Sequence, residues 1–68
     1  MYNGVVKWFN PTKGFGFIAP DQGGSDVFVH ITEVEKSGLD NLNEGQKVQY
    51  ELANQRGKTS AVNIKIVR

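Results

Sequence analysis

The sequence predicts an all-β fold in which five short strands close into a small barrel. Five segments carry the β-branched and aromatic residues, or the alternation of apolar and polar residues, that are typical of strands. Only one segment carries helical signals. A chain of 68 residues has little other structure to cover two open sheet edges, so closure of the sheet is expected. Residues 1–68 are therefore expected to form one domain.

The first three strands are separated by segments rich in turn-forming residues. VVKWFN at residues 5–10 leads into the turn NPTKG, and FGFIAP at residues 15–20 is a strand that Pro20 ends or confines to an edge. DVFVHI at residues 26–31 follows a loop with paired glycines and alternates strictly. Its residues fall on two faces, one with Phe28 and His30 and the other with Val27, Val29 and Ile31.

The helical candidate ITEVEKSG follows the third strand. Thr32 and Glu35 have the spacing of a capping box, and Gly38 suits a C-terminal stop. Two more strands complete the sheet, KVQYELA at residues 47–53 and AVNIKIV at residues 61–67, with the turn QRGK between them. Alternation then predicts these interior residues: Val6, Ile18, Val27, Val29, Val48, Tyr50, Leu52, Val62 and Ile64.

The aromatic residues of the second strand are predicted to lie outside this interior. Phe15 and Phe17 occupy the opposite face from Ile18, because successive side chains of a strand alternate. Their flanking glycines are interpreted as leaving room for a flat ligand near the backbone. On the first strand, Lys7 and Trp8 are adjacent, so both can face outward only if the strand bulges or twists.

The charges are unevenly distributed along a chain whose net charge is +1. Residues 1–20 carry two lysines and no acid, and residues 21–51 carry all seven acids against two lysines. Residues 52–68 carry no acid and four basic residues: Arg56, Lys58, Lys65 and Arg68. This distribution allows one basic face, although chance clustering on a solvated surface explains the charges alone equally well.

Rows of exposed rings beside lysines are typical of a surface that binds unpaired nucleic-acid bases. Each stacked base contributes about 1–3 kcal/mol, and any base can stack because each has a π-face. The alternative is a protein-interaction barrel whose exposed rings bind a peptide. Salt dependence distinguishes the two, because contacts with phosphates make affinity fall as salt rises.

Three segments resemble the hallmark motifs of bacterial cold-shock proteins: KWFN at residues 7–10, KGFGFI at residues 13–18 and DVFVH at residues 26–30. LNEGQKV at residues 42–48 is also similar, and the resemblance runs along essentially the whole chain. It implies a five-stranded antiparallel barrel of the OB-fold type with one short helical turn. It also implies binding of single-stranded RNA and single-stranded DNA, and a role as RNA chaperone or antiterminator in a stress response.

The resemblance also implies which residues contact nucleic acid. Carried over to this sequence, the binding face comprises Lys7, Trp8, Phe9, Lys13, Phe15, Phe17, Phe28 and His30. Phe9 is explained equally well as a core residue. The family usually has aromatic residues where this chain has Ile31 and Leu39, and we include both as apolar contacts. Arg56 and Lys58, from the basic C-terminal segment, complete the predicted site.

Other functional classes find little support in the sequence. GFGFIA has the glycine spacing of a dinucleotide site, but the glycines lie within a strand and no βαβ unit follows. An RNA-recognition motif would need two helices and the opposite order of its aromatic motifs. One histidine, no cysteine and no nucleophile beside a base argue against an enzyme, and we expect no cofactor, metal or small-molecule substrate.

Location and oligomeric state are predicted from what the chain lacks. No apolar run approaches the roughly 20 residues that span a membrane, and no signal-peptide pattern follows Met1. A cytoplasmic protein without membrane contact is therefore expected. Because a closed barrel leaves no strand edge to pair, we expect a monomer.

Overall fold

Five strands and one short helix make up the structure, a computed structural model that describes residues 1–67 apart from the side chain of Gln55. Arg68, the last of the basic C-terminal residues, lies outside the described residues. The elements are β1 (Tyr2–Asn10), β2 (Phe15–Pro20), β3 (Val27–His30), α1 (Ile31–Lys36), β4 (Lys47–Gln55) and β5 (Lys58–Ile66). The strands close into a barrel in the order β1-β2-β3-β5-β4. This confirms the predicted all-β barrel with one short helical segment.

Nearly all of the strand pairing is antiparallel, as predicted. The exception is the pairing that closes the barrel between β3 and β5, which run parallel where Phe28 lies opposite Ser60. The first strand also begins earlier than predicted, because Tyr2 already pairs with Tyr50 of β4. This early pairing places the first residues of β1 beside β4 and completes the ring of strands.

The interior differs from the predicted core at several positions. The buried hydrophobic residues are Val6, Ile18, Val29, Val34, Leu42, Val48, Tyr50, Ala61 and Ile64. Val27 and Val62 are only half-buried, and the prediction for Leu52 is wrong because its side chain is 40% exposed. Val34 enters the interior instead, because α1 packs against β3 and β5. Leu42, in the loop before β4, is also buried.

A β-bulge changes which residues of β5 face inward. Asn63 and Ile64 together oppose the single residue Tyr50 of β4. Asn63 has a φ of 52°, and its Nδ2 donates a hydrogen bond of 2.8 Å to Oε1 of Glu51. Because the extra residue shifts the alternation, Ala61 and Ile64 are both buried although they are three positions apart.

The helix ends as predicted but begins differently. Gly38 has a φ of 81°, and its N–H bonds the carbonyl of Glu35, while the N–H of Leu39 bonds the carbonyl of Val34 at 3.0 Å. This is a Schellman motif, in which a left-handed glycine lets the last carbonyls of the helix be satisfied. The predicted capping box is wrong, because the N-cap is His30 and not Thr32.

The glycines beside Phe15 are explained by contacts within the protein. A Cβ on Gly16 would lie 2.7 Å from the Cα of Phe9 in the neighbouring strand, so only glycine permits this close approach. Gly14 has a φ of +86°, and a Cβ there would lie 3.2 Å from Cγ2 of Ile31. Both glycines are buried, so the interpretation that they leave room for a ligand is wrong.

Candidate functional site

Five aromatic side chains form a continuous cluster on the outside of β1, β2 and β3, which we call the aromatic face: Trp8, Phe15, Phe17, Phe28 and His30. The ring centroid of Trp8 lies 5.5 Å from those of both Phe15 and Phe17. Phe28 lies 6.0 Å from Phe15 and 5.9 Å from Phe17, and His30 lies 6.3 Å from Phe28. Every ring therefore contacts at least one other ring, and Phe28 contacts three.

The strand register brings these rings together. Phe17 lies opposite Trp8 on one side and opposite Phe28 on the other, so three strands each place a ring in the same row. Between β1 and β2 the register shifts from Val6 to Trp8, which leaves Lys7 as an extra residue. The predicted bulge is thereby confirmed, and it allows both Lys7 and Trp8 to be exposed.

The aromatic face is separate from the hydrophobic core. Trp8 is 37% exposed, His30 is exposed, and the three phenylalanines of the face are half-buried. None of the five belongs to the buried core. The rings pack mainly against one another, so they form an apolar surface on a protein whose interior is filled without them.

Two lysines lie beside the aromatic face in different surroundings. Nζ of Lys7 forms an ion pair with Oδ2 of Asp26 at 2.9 Å, and both side chains remain partly exposed. Lys13 is exposed in the β1–β2 turn and has no ion-pair partner among the described residues. The Oδ1 of Asn10 fixes this turn by accepting hydrogen bonds of 3.0 Å from the N–H groups of Thr12 and Lys13.

Two further basic residues reach the aromatic face from the β4–β5 hairpin. Arg56 and Gly57 form its two-residue turn with φ of 54° and 77°, the left-handed pair that a type I′ turn requires. Arg56 and Lys58 line a groove of about 430 Å³ together with Phe28 and Ser60. The sequence indicated only that this segment is basic, and the β3–β5 pairing brings it beside Phe28.

The remaining predicted contact residues, Phe9, Ile31 and Leu39, are all half-buried. Phe9 and Leu39 pack against the core. Ile31 is the first residue of α1 and donates its N–H to the carbonyl of Gly14 at 2.9 Å. The structure therefore places Ile31 next to His30 of the aromatic face, while Phe9 and Leu39 lie mainly against the interior.

The ring of His30 is held by a contact that sequence reasoning missed. Its Nδ1 accepts a hydrogen bond of 3.2 Å from the N–H of Thr32 and lies 3.0 Å from Oγ1 of the same residue. The sequence had assigned Thr32 to a capping box. A signal was present, because a side-chain acceptor two residues before an N–H at the start of a helix fits an N-cap.

The described residues contain neither a metal-binding cluster nor a membrane-spanning helix. No three or more carboxylate or histidine side chains of residues 1–67 are placed to hold a metal ion. The pKa of Tyr50 is raised, chiefly because its phenol is buried and further because of the nearby carboxylate of Asp21. No helix in the described range is long and apolar enough to cross a membrane.

Comparison with known proteins agrees with the fold and with the motifs. Residues 2–67 match the family model described as the 'Cold-shock' DNA-binding domain. The chain is 61% identical over 66 residues to the probable cold shock protein y4cH of Sinorhizobium fredii, covering 94% of this chain and 96% of that protein. It is 55% identical over 67 residues to the cold shock protein CspA of Rhizobium meliloti, covering 96% and 97%.

More distant similarity is also present. The chain is 49% identical over 61 residues to the cold shock-like protein CspE of Escherichia coli K12, covering 90% of this chain and 88% of that protein. Among solved structures, it resembles Drosophila Unr CSD456 with a TM-score of 0.79 and 22% identity. That likeness covers 98% of this chain but 26% of the longer one, and it concerns the fold alone.

Proposed function

Because the chain belongs to the cold-shock domain family, we propose that it binds single-stranded RNA and DNA by stacking unpaired bases on the aromatic face. The observation that carries this proposal is the cluster of five rings, in which neighbouring centroids lie 5.5–6.3 Å apart outside the core. Stacking on such rings contributes about 1–3 kcal/mol per base and requires bases that are not already paired.

The charged and apolar residues around the face have separate roles in this proposal. Lys13, Arg56 and Lys58 contact phosphates, and Lys7 does so after exchanging its ion pair with Asp26. Such an exposed pair contributes only about 0–1 kcal/mol, so exchanging it for a phosphate contact costs little. Apolar contacts at the rim come from these residues: Phe9, Ile31 and Leu39.

We propose that the protein changes RNA structure without catalysis. A protein that binds unpaired strands and not duplexes stabilises the open form by mass action. At a protein concentration 100 times the dissociation constant, this stabilisation is about 2.7 kcal/mol per site, which opens weak hairpins and leaves strong ones closed. The protein would act in this way as a passive RNA chaperone, and as an antiterminator where the hairpin is a transcription terminator.

Three further features belong to the same proposal. The family model covers residues 2–67, which supports one cold-shock domain over residues 1–68. The closed order of strands supports a monomer, since no strand edge needs a partner. The relatives are bacterial cold shock proteins, which supports a cytoplasmic protein that works on RNA.

Fluorescence titration tests the proposal directly. Trp8 is the single tryptophan of the chain and lies in the aromatic face, so its emission reports on that surface. We expect a short oligothymidine and its RNA counterpart to quench Trp8, and a duplex of matched composition to bind far more weakly. Equal binding of the duplex would contradict stacking as the main contact.

Salt and peptide controls distinguish nucleic-acid binding from peptide binding. For a single strand, the logarithm of affinity should fall with the logarithm of salt by about 0.7 for each phosphate contact. An unstructured peptide with aromatic side chains serves as competitor. If the peptide bound with little salt dependence and the strand did not bind, the peptide-binding alternative would be correct.

A further inference from the structure

A contact between Thr32 and His30 links the aromatic face to the start of α1. His30 is the last residue of β3 and also the N-cap of α1, so its ring belongs to both the aromatic face and the helix start. Its ring centroid lies 6.3 Å from that of Phe28. On the other side, the backbone N–H and the hydroxyl of Thr32 both reach Nδ1, at 3.2 Å and 3.0 Å.

Hydrogen-bond chemistry determines where the imidazole proton lies. A backbone N–H can only donate, so Nδ1 must offer its lone pair to Thr32. In a neutral imidazole whose Nδ1 is an acceptor, the proton is on Nε2. Nε2 then has a hydrogen to donate, on the side of the ring away from Thr32.

We propose that Thr32 is a positioning residue for nucleic-acid binding. It holds the ring of His30 in the orientation and tautomer that present an Nε2–H donor at the end of the aromatic face. The matching group on the strand is an oxygen acceptor, either of a phosphate or of a base. This inference rests on the proposed function, because it concerns the same surface.

The tautomer is measured without any ligand. In protein labelled with ¹⁵N, the chemical shifts of Nδ1 and Nε2 distinguish the protonated nitrogen from the unprotonated one, at a pH where the ring is neutral. We expect the proton on Nε2 in the wild type, and a ring held less firmly in the isosteric variant Thr32→Val. A proton found mainly on Nδ1 in the wild type would overturn the inference.

A double-mutant cycle tests whether Thr32 acts through His30. Thr32→Val should weaken binding of oligothymidine by roughly 2- to 10-fold, the contribution of one neutral hydrogen bond. Thr32→Ser keeps the hydroxyl and should bind like the wild type. His30→Asn keeps a good N-cap acceptor but has no ring, so Thr32→Val should have no further effect in that background.

The outcomes separate this inference from the proposed function. An equal loss from Thr32→Val in both backgrounds would show a structural effect and overturn the inference. Normal binding by Thr32→Val would also overturn it while leaving the proposed function intact. If the wild type failed to bind any single strand, the proposed function would fall first, and the inference with it.

Stability and backbone-charge controls complete the experiment. Denaturation by urea identifies any variant that is not folded. If Thr32→Val does not fold, the ¹⁵N measurement of the His30 tautomer in the wild type still tests the inference, because it needs no variant. A strand with uncharged methylphosphonate linkages distinguishes the two acceptors. If the effect of Thr32→Val persists on that strand, the acceptor is a base oxygen, and if it disappears, the acceptor is a phosphate oxygen.

Discussion

Removing Phe28 is the most informative single change, because this ring lies at the centre of the aromatic face. Its centroid is 6.0 Å from Phe15, 5.9 Å from Phe17 and 6.3 Å from His30. It also borders the groove that Arg56 helps to line. Phe28→Ala therefore deletes a stacking partner and separates the basic hairpin from the other rings.

The expected loss of binding is at least as large as the expected loss of stability. One stacked base contributes about 1–3 kcal/mol, which corresponds to a dissociation constant about 5- to 150-fold higher. Deleting a fully buried phenylalanine costs about 3–5 kcal/mol of unfolding free energy. Because Phe28 is half-buried and outside the core, we expect a cost of about 1–2 kcal/mol.

The assay pairs a Trp8 fluorescence titration with urea denaturation of each variant. Phe28→Tyr keeps the ring and should bind close to the wild-type level. Leu52→Ala is the matched control, because Leu52 is 40% exposed and is not one of the ring contacts of the face. It should leave binding unchanged and cost less stability than Phe28→Ala, because the side chain is smaller and more exposed than that of Phe28.

Three results would refute this reasoning. An unchanged dissociation constant for Phe28→Ala would show that the ring does not contact the strand. A similar weakening in Leu52→Ala would show that removing any apolar side chain affects binding. The loss in Phe28→Ala could then not be assigned to stacking. Unfolding of Phe28→Ala with normal binding by the residual folded fraction would identify the ring as a structural residue.

Three other changes have defined outcomes. Lys13→Ala should reduce the log–log salt slope by about 0.7 if the side chain contacts one phosphate, and an unchanged slope in salt-dependent titrations would contradict that contact. Ile31→Phe should tighten binding by up to about 1 kcal/mol with little effect on stability, because Ile31 is half-buried beside the aromatic face. A loss of about 1–3 kcal/mol in unfolding free energy without tighter binding would instead show that the larger ring overpacks the interior. Burial raises the pKa of Tyr50 above 10.0, so the folded state keeps this proton where the unfolded state loses it, and stability should fall as the pH rises above about 10. Tyr50→Phe should flatten this alkaline dependence in urea denaturation, and an equally steep fall in the variant would assign it to other groups.

The sequence by itself determined the fold class and the arrangement of the rings along each strand. Alternation with period two places Phe15 and Phe17 on one face of β2 because neighbouring side chains of a strand must point apart. The same rule places Phe28 and His30 together on β3, and the adjacency of Lys7 and Trp8 already required a bulge or a twist if both were to face outward. These are local consequences of backbone geometry, so the sequence was sufficient.

Where a strand bulges or a helix takes part in the core, the sequence was not sufficient. Leu52 was predicted inside by alternation, yet it is exposed, while the bulge at Asn63 turns Ala61 inward. The burial of Val34 depends on α1 packing over β3 and β5. An extra residue in one strand changes the face of every residue beyond it, and only the pairing with the partner strand reveals it.

The composition of the candidate site also depended on contacts between distant parts of the chain. Arg56 approaches Phe28 because β5 pairs with β3 to close the barrel, and Thr32 reaches the ring of His30 because the helix begins where β3 ends. The sequence identified Arg56 only by its charge and misassigned Thr32. Strand alternation is fixed by neighbouring residues, whereas closure of a barrel is fixed by pairings between strands far apart in sequence, and the tertiary structure alone decides those.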